Sequence, residues 1–289
     1  MNHATYSSAQ QWGLNRVIPD LIRSRGLLWD LVWKDLRARY RNTIMGFVWA
    51  VLQPLMLMLI LTFVFSVIFP GKVEGVDGGS AHPFHVNLLC GLIFWQFFAT
   101  SLSRSTNSLL DNHDLVKKVY FPREVVPIAS IGNAVVNLAI GFVVLIVIHL
   151  LSGGSLGLGI VWLPVIFAIQ FTLTLGLGLL CSSLNVYYRD VAYMVDVVLT
   201  LGFYATPLFY PLAFVRTWAG GLETYGQYVL TLYMLNPMVG LVEAYRQSIL
   251  DGIMPDPALL VWPAICAVVF LVAGAVVFRR NAPVLADYL

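Results

Sequence analysis

The stretch WKDLRARYRNTIMGFVWAVLQ at residues 33–53 changes character in its middle. Lys34, Arg37, Arg39 and Arg41 crowd its first half, and the next charged side chain after Arg41 is Lys72. As a helix rising about 1.5 Å per residue, the charge-free run 44–69 exceeds the ~30 Å hydrocarbon core of a bilayer. Such a run predicts a membrane span, entered from a basic, aromatic strip.

Five more segments carry the same signal: 86–103, 125–151, 160–184, 191–213 and 258–278. The chain is 59% hydrophobic and 11% charged, against roughly 45–50% and about 25% in soluble domains. The predicted fold class is therefore an all-α integral membrane protein with six transmembrane helices. Six spans fit into 289 residues only with short connections. The expected organisation is a cytoplasmic N-terminal segment over 1–43, one transmembrane domain over 44–280 and a cytoplasmic tail over 281–289.

Cytoplasmic flanks retain Lys and Arg. With both termini inside, all 17 basic residues fall on the inner side except Lys72, Arg216 and Arg246, which predicts an N-in, C-in topology. The net charge of +2 then reports topology and gives no nucleic-acid footprint. Residues 1–25 lack the apolar core of a cleavable signal peptide. Cys90, Cys181 and Cys266 are widely spaced inside predicted spans, which argues against a disulfide framework. The neighbours His82 and His85 are too few for a metal site, so no metal is expected.

On a helix over 27–41, Trp29, Trp33, Leu36 and Tyr40 fall toward one side, with Asp30, Lys34, Arg37 and Arg41 opposite. This predicts an amphipathic interfacial helix, its aromatics in the headgroup layer and its cations toward anionic lipid. Trp33, Lys34, Arg37 and Arg41 are the residues expected to meet the substrate at its entrance.

Three longer stretches, KDLRARYRNTIMGFVWAVLQPLMLMLILTFVFSVIF, LLDNHDLVKKVYFPREVVPIAS and LNVYYRDV, together with ATPLFYP, resemble the transmembrane subunit of polysaccharide ABC exporters, particularly the O-antigen and teichoic-acid branch. The resemblance runs from about residue 31 to the C-terminus. It implies a homodimer with two separate ATPase subunits in a bacterial inner membrane, moving a lipid-linked polysaccharide, with undecaprenyl diphosphate as the expected anchor. O-antigen is the expected cargo, and teichoic-acid or capsule export by the same family is the alternative. No G-x-x-x-x-G-K-[ST] loop occurs in the chain, so ATP and magnesium are expected on the partner ATPase, and neither enzymatic activity nor a cofactor on this chain.

The resemblance makes residues 104–124 a coupling element. Leu110, Val116 and Tyr120 are its expected contact residues, and Asp111, Asp114, Leu115, Lys117 and Lys118 complete the ATPase-facing set with Arg189 and Asp190 of the NVYYRD turn. For the pathway, aromatic platforms and amides suit the apolar faces and hydroxyl edges of sugars. The candidates are Phe47, Trp49, Gln53, Asn133, Asn137, Tyr193, Phe203 and Tyr204. The segment 235–250 is too short and too charged to cross, and is expected to re-enter from the outer face between spans five and six. By resemblance this region gates the exit, with Pro207, Pro211, Glu243 and Arg246 beside it.

Two other classes fit less well. An ion-coupled secondary transporter calls for several buried acids or broken-helix repeats, and Asp196 is the one acid well inside a predicted span. A membrane glycosyltransferase needs clustered carboxylates at a membrane face, and none stands out.

Overall fold

A computed structural model describes residues 24–40, 48–68, 82–119, 121–221 and 225–288, and every regular element among them is helical. In chain order these are α1 (Arg25–Tyr40), α2 (Val48–Phe63, continuing as a π-turn, Val64–Ile68), α3 (Phe84–Asp111), α4 (His113–Lys118) and α5 (Val125–Leu151). A 3-10 turn (Leu158–Trp162) leads into α6 (Leu163–Tyr187), followed by α7 (Asp190–Ala205), α8 (Leu212–Gly220), α9 (Gly226–Met234) and α10 (Pro237–Ile249). The last two are α11 (Pro257–Asn281) and α12 (Leu285–Tyr288).

Among the described residues, four helices are long and apolar enough to cross a membrane: α3, α5, α6 with its leading turn, and α11. They coincide with the second, third, fourth and sixth expected segments. α3 is the centre of the bundle, with 72% of its most apolar window buried against 22% to 28% in the other three. Its Phe94, Trp95, Phe97 and Phe98 lie in the core, so these aromatics serve packing. α6 and α11 form the most extensive helix pair. Their backbones touch, because a Cβ at Gly274 would overlap the Gly176 carbonyl and one at Gly176 the backbone of Phe270 and Leu271. Small residues permit this approach in lipid, where close packing replaces the hydrophobic effect as the driving force.

The fifth segment differs from expectation. α7 has only 16 residues, about 24 Å at 1.5 Å per residue, and stops at Ala205 instead of running to 213. Thr206 leaves the helix in an extended conformation and Pro211 caps the start of α8. Pro207, which has no N–H, cannot continue the helical ladder. The interfacial helix differs too. α1 buries Leu31, Val32 and Leu36 against Val125 and Ala129 of α5, while Trp29 and Trp33 stay exposed, with ring centroids 5.7 Å apart. Arg37 sits over the Trp33 ring at 5.9 Å, on the tryptophan side and not opposite it. Four residues overshoot one helical turn by only about 40°, so Trp29, Trp33 and Arg37 make one stripe.

The expected re-entrant segment is α10. Its start is legible in the sequence: Asn236 accepts from the Met238 N–H at 3.0 Å and Pro237 occupies the first helical position, where a missing N–H is harmless. α11 repeats the device with Asp256 and Pro257. α10 is built into the protein interior, since Val239, Leu241, Val242, Ala244 and Ile249 are fully buried and the helix packs on α3 and α11.

Candidate functional site

Gln53 of α2, Gln96 and Thr100 of α3 and Asn137 of α5 line a crevice of about 40 Å3 walled by Ile93 and Leu138. Carboxamides both donate and accept, so the crevice matches hydroxyl groups in either role. Thr100 Oγ1 already donates to the Gln96 carbonyl at 2.6 Å, which leaves its lone pairs free to accept. The space suits a few waters or hydroxyls, too little for a sugar ring. Gln96 is absent from the sequence candidates. Its signal was a lone amide, one turn before Thr100, in an otherwise aromatic helix.

A second polar site is centred on Arg246 of α10, whose side chain is 7% exposed. Its Nη2 donates to the carbonyls of Leu208 at 3.0 Å and Asn87 at 3.4 Å, and Nη1 to that of Tyr210 at 3.4 Å. Glu243 lies 3.7 Å away, one helical turn back. The guanidinium thus satisfies carbonyls freed where the chain leaves α7 and joins that bend to the first turn of α3. Beside it, Asn236 Nδ2 donates to Thr206 Oγ1 at 2.9 Å and the Tyr233 hydroxyl to Tyr210 Oη at 3.2 Å. Burial and the Tyr210 hydroxyl push the Tyr233 phenol far up, so it keeps its proton.

The third site is the surface built by α1, α4 and the α6–α7 turn. Asp114, Lys117 and Lys118 are exposed on α4, with Asp114 and Lys118 2.9 Å apart; that hydrogen-bonded ammonium holds the Asp114 carboxyl below its ordinary range. Leu115 turns toward α1, and Lys34 Nζ donates to Asn112 Oδ1 at 3.1 Å. Val116 is buried with Leu109, Val126, Phe278 and Leu285, so it anchors α4 inward and offers no contact surface, contrary to expectation. Burial raises the Asp35 carboxyl, with Lys34 and Arg104 partly offsetting the rise. At the turn, Arg189 and Asp190 are exposed. Asn185 fixes the turn: Nδ2 donates to the Thr106 carbonyl at 3.1 Å and Oδ1 accepts from the Ala192 N–H at 3.1 Å.

The pathway candidates separate. Gln53 and Asn137 meet in the crevice; Trp49, Tyr193 and Tyr204 are exposed on α2 and α7. Phe203 packs between Trp95 and Phe209. Asn133 is 1% exposed, and neither end of its amide has a partner among the described residues; it is sealed in the interior, one turn from the crevice. Glu243 and Arg246 come together, while Pro207 and Pro211 bracket the bend they hold. Phe47, Arg41 and Tyr120 lie outside the described residues.

The sequence profile of the family described as ABC-2 type transporter matches residues 26–250. The chain belongs to the ABC-2 type transporter family. Among relatives of this ABC-2 transporter, the O-antigen export system permease protein RfbA of Myxococcus xanthus is 32% identical over 266 residues, covering 92% of this chain and 96% of the relative. The protein of the same name from Klebsiella pneumoniae is 28% identical over 78% of this chain and 83% of its own. The polysialic acid transport protein KpsM of Escherichia coli is 22% identical over 87% and 92%. With four helices long and apolar enough to span and this family membership, the ABC-2 transporter is a multi-pass protein of the bacterial inner membrane.

Proposed function

We propose that this chain is the permease subunit of an ATP-driven exporter that moves a lipid-linked polysaccharide, most specifically O-antigen on undecaprenyl diphosphate, out across the inner membrane. The observation that carries the reading is similarity over 92% of the chain to an O-antigen export permease. Similarity to KpsM keeps capsule polysaccharide as the second substrate class. In this reading the six segments span with both termini inside, and two copies enclose the pathway. Two ATPase subunits supply ATP and magnesium and press on α4, Arg189 and Asp190. The carboxamide crevice contacts sugar hydroxyls without binding deeply, because a processive exporter stalls on tight sites. The knot at Arg246 forms the outer closure.

Deleting the gene tests this directly. Surface polysaccharide is expected to vanish while lipid-linked polymer accumulates inside, and plasmid-borne protein restores export only when its partner ATPase is present. Normal surface polymer in the deletion strain overturns the assignment.

A further inference from the structure

A cleft of about 220 Å3 lies where α5 begins and α11 ends, lined by Val119, Phe121, Arg123, Glu124, Arg279 and Pro283. Its two guanidinium groups are engaged unequally. Arg123 Nη1 donates to the Ala282 carbonyl, tying the chain beyond α11 across the cleft. Arg279 turns Nε toward Glu124 Oε1 at 3.8 Å, with the two side chains 14% and 13% exposed. That leaves Arg279 Nη1 buried with no hydrogen-bond partner among the described residues. Two cations against one carboxylate leave the cleft one positive charge and a spare guanidinium donor, the arrangement that takes up an oxyanion.

The position selects the oxyanion's carrier. α5 and α11 are both long and apolar enough to span, and the cleft at their ends falls at the level expected for headgroups, where basic pockets between helices bind anionic lipids. Its rim is apolar: Val119 is 49% exposed, and Phe121 and Pro283 line the same space. We infer that this cleft is a headgroup site for a phosphate-bearing membrane lipid, with Arg279 donating to a phosphate oxygen and the chain lying along Val119 and Phe121. Glu124 is then a positioning residue that orients Arg279 and limits affinity by competing for it. Such a site is independent of the polymer exported, and its absence leaves the export reading untouched.

The test uses the purified full chain, delipidated in mild detergent and followed by native mass spectrometry. It is titrated with dioleoyl phosphatidylglycerol, the matching diacylglycerol, farnesyl diphosphate or inorganic phosphate. Phosphatidylglycerol is expected to be retained over diacylglycerol. Arg279→Gln lowers its retention about tenfold, the scale of one charge-assisted hydrogen bond, and Glu124→Gln raises it severalfold by freeing the guanidinium. Displacement by farnesyl diphosphate at low excess assigns the site to a diphosphate lipid, whereas persistence of phosphatidylglycerol assigns it to a bilayer lipid. Equal retention of phosphatidylglycerol and diacylglycerol overturns the inference, as does inorganic phosphate alone being retained as well as phosphatidylglycerol. If Arg279→Gln fails to fold, Glu124→Gln decides alone: no gain in retention overturns the site. Loss of ATPase co-purification in Arg279→Gln with lipid retention intact makes the cleft a protein contact and rejects the lipid.

Discussion

Tyr245 lies flat on Phe94, ring centroids 3.5 Å apart and planes within 4°, and its hydroxyl donates to Gln170 Oε1 at 2.8 Å. Gln170 Nε2 returns to the Phe94 carbonyl at 2.9 Å. Three helices, α3, α6 and α10, are thereby locked through one closed ring of contacts in which each buried polar atom has a partner. Tyr245→Phe keeps the stack and strands the amide oxygen of Gln170, at a cost of about 1–3 kcal/mol. Thermal unfolding in detergent is expected to show that loss, and adding Gln170→Met, which removes the stranded acceptor, is expected to recover most of it.

Arg246 serves as an intramolecular staple. Removing it leaves the half-buried Glu243 without its cation and frees the carbonyls of Leu208, Tyr210 and Asn87. Arg246→Met is expected to destabilise by about 3–5 kcal/mol, the range for breaking a buried pair from one side, and adding Glu243→Gln to return part of it. Hydrogen exchange separates this from a general weakening: protection is expected to fall first over residues 206–211.

At the α6–α11 crossing the limiting factor is volume. Gly274→Leu forces a side chain into the Gly176 backbone, and overpacking of this kind costs typically about 1–3 kcal/mol or more, here raised because the obstacle is backbone. Ala275→Leu, one residue along α11 at a half-buried position, is the paired control. Gly274→Leu is expected to unfold at a clearly lower temperature than Ala275→Leu, and equal melting of the two variants overturns the crossing.

Asp35 gives α1 a pH dependence. Burial raises its carboxyl above the ordinary 3.8, so in the window just above that value the folded chain holds a proton that the unfolded chain has released. The seat of α1 on α5 is therefore firmest at low pH and weakens as pH rises through the raised value. Asp35→Asn, which carries no charge to bury, is expected to hold α1 firmly at all pH values. Fluorescence of the variant carrying only Trp29 and Trp33, followed from about pH 4 to about pH 8, checks this: a slope in the parent and none in Asp35→Asn.

Much of this was legible in the sequence, and the parts that were not share a cause. Hydropathy located α3, α5, α6 and α11 because a spanning helix must be long and apolar whatever it packs against. The caps at Asn236 and Asp256 are local signals that the segment boundaries passed over, and the arrest at Ala205 was missed because the apolar run continues through Pro207 and Pro211 to residue 213. Packing partners are not local. Nothing in the sequence tells that Leu31, Val32 and Leu36, and not the tryptophans, face α5, since Trp and Leu are equally acceptable to a lipid-facing side. Arg246 likewise was set beside the exit by resemblance alone, and only the bend after α7 supplies the carbonyls that bury it. Gln53 and Asn137 were found as polar residues in apolar helices, but their meeting with Gln96 depends on how α2, α3 and α5 come together.

The α4 surface separates anchoring from coupling. Val116 is buried against α11 and α12 neighbours, whereas Lys117, Lys118 and Val119 face outward. Val116→Ser is expected to lower thermal stability, because it exchanges a buried methyl pair for an unpartnered hydroxyl. Lys117→Glu with Lys118→Glu is expected to leave melting unchanged and weaken ATPase association by roughly tenfold, since exposed charges act on encounter with a partner more than on the fold. Co-purification of the ATPase, read beside the melting curve of each variant, distinguishes the two effects. Undiminished co-purification of the doubly reversed variant moves the coupling contact off the lysines and onto Arg189 and Asp190, which are exposed at the α6–α7 turn.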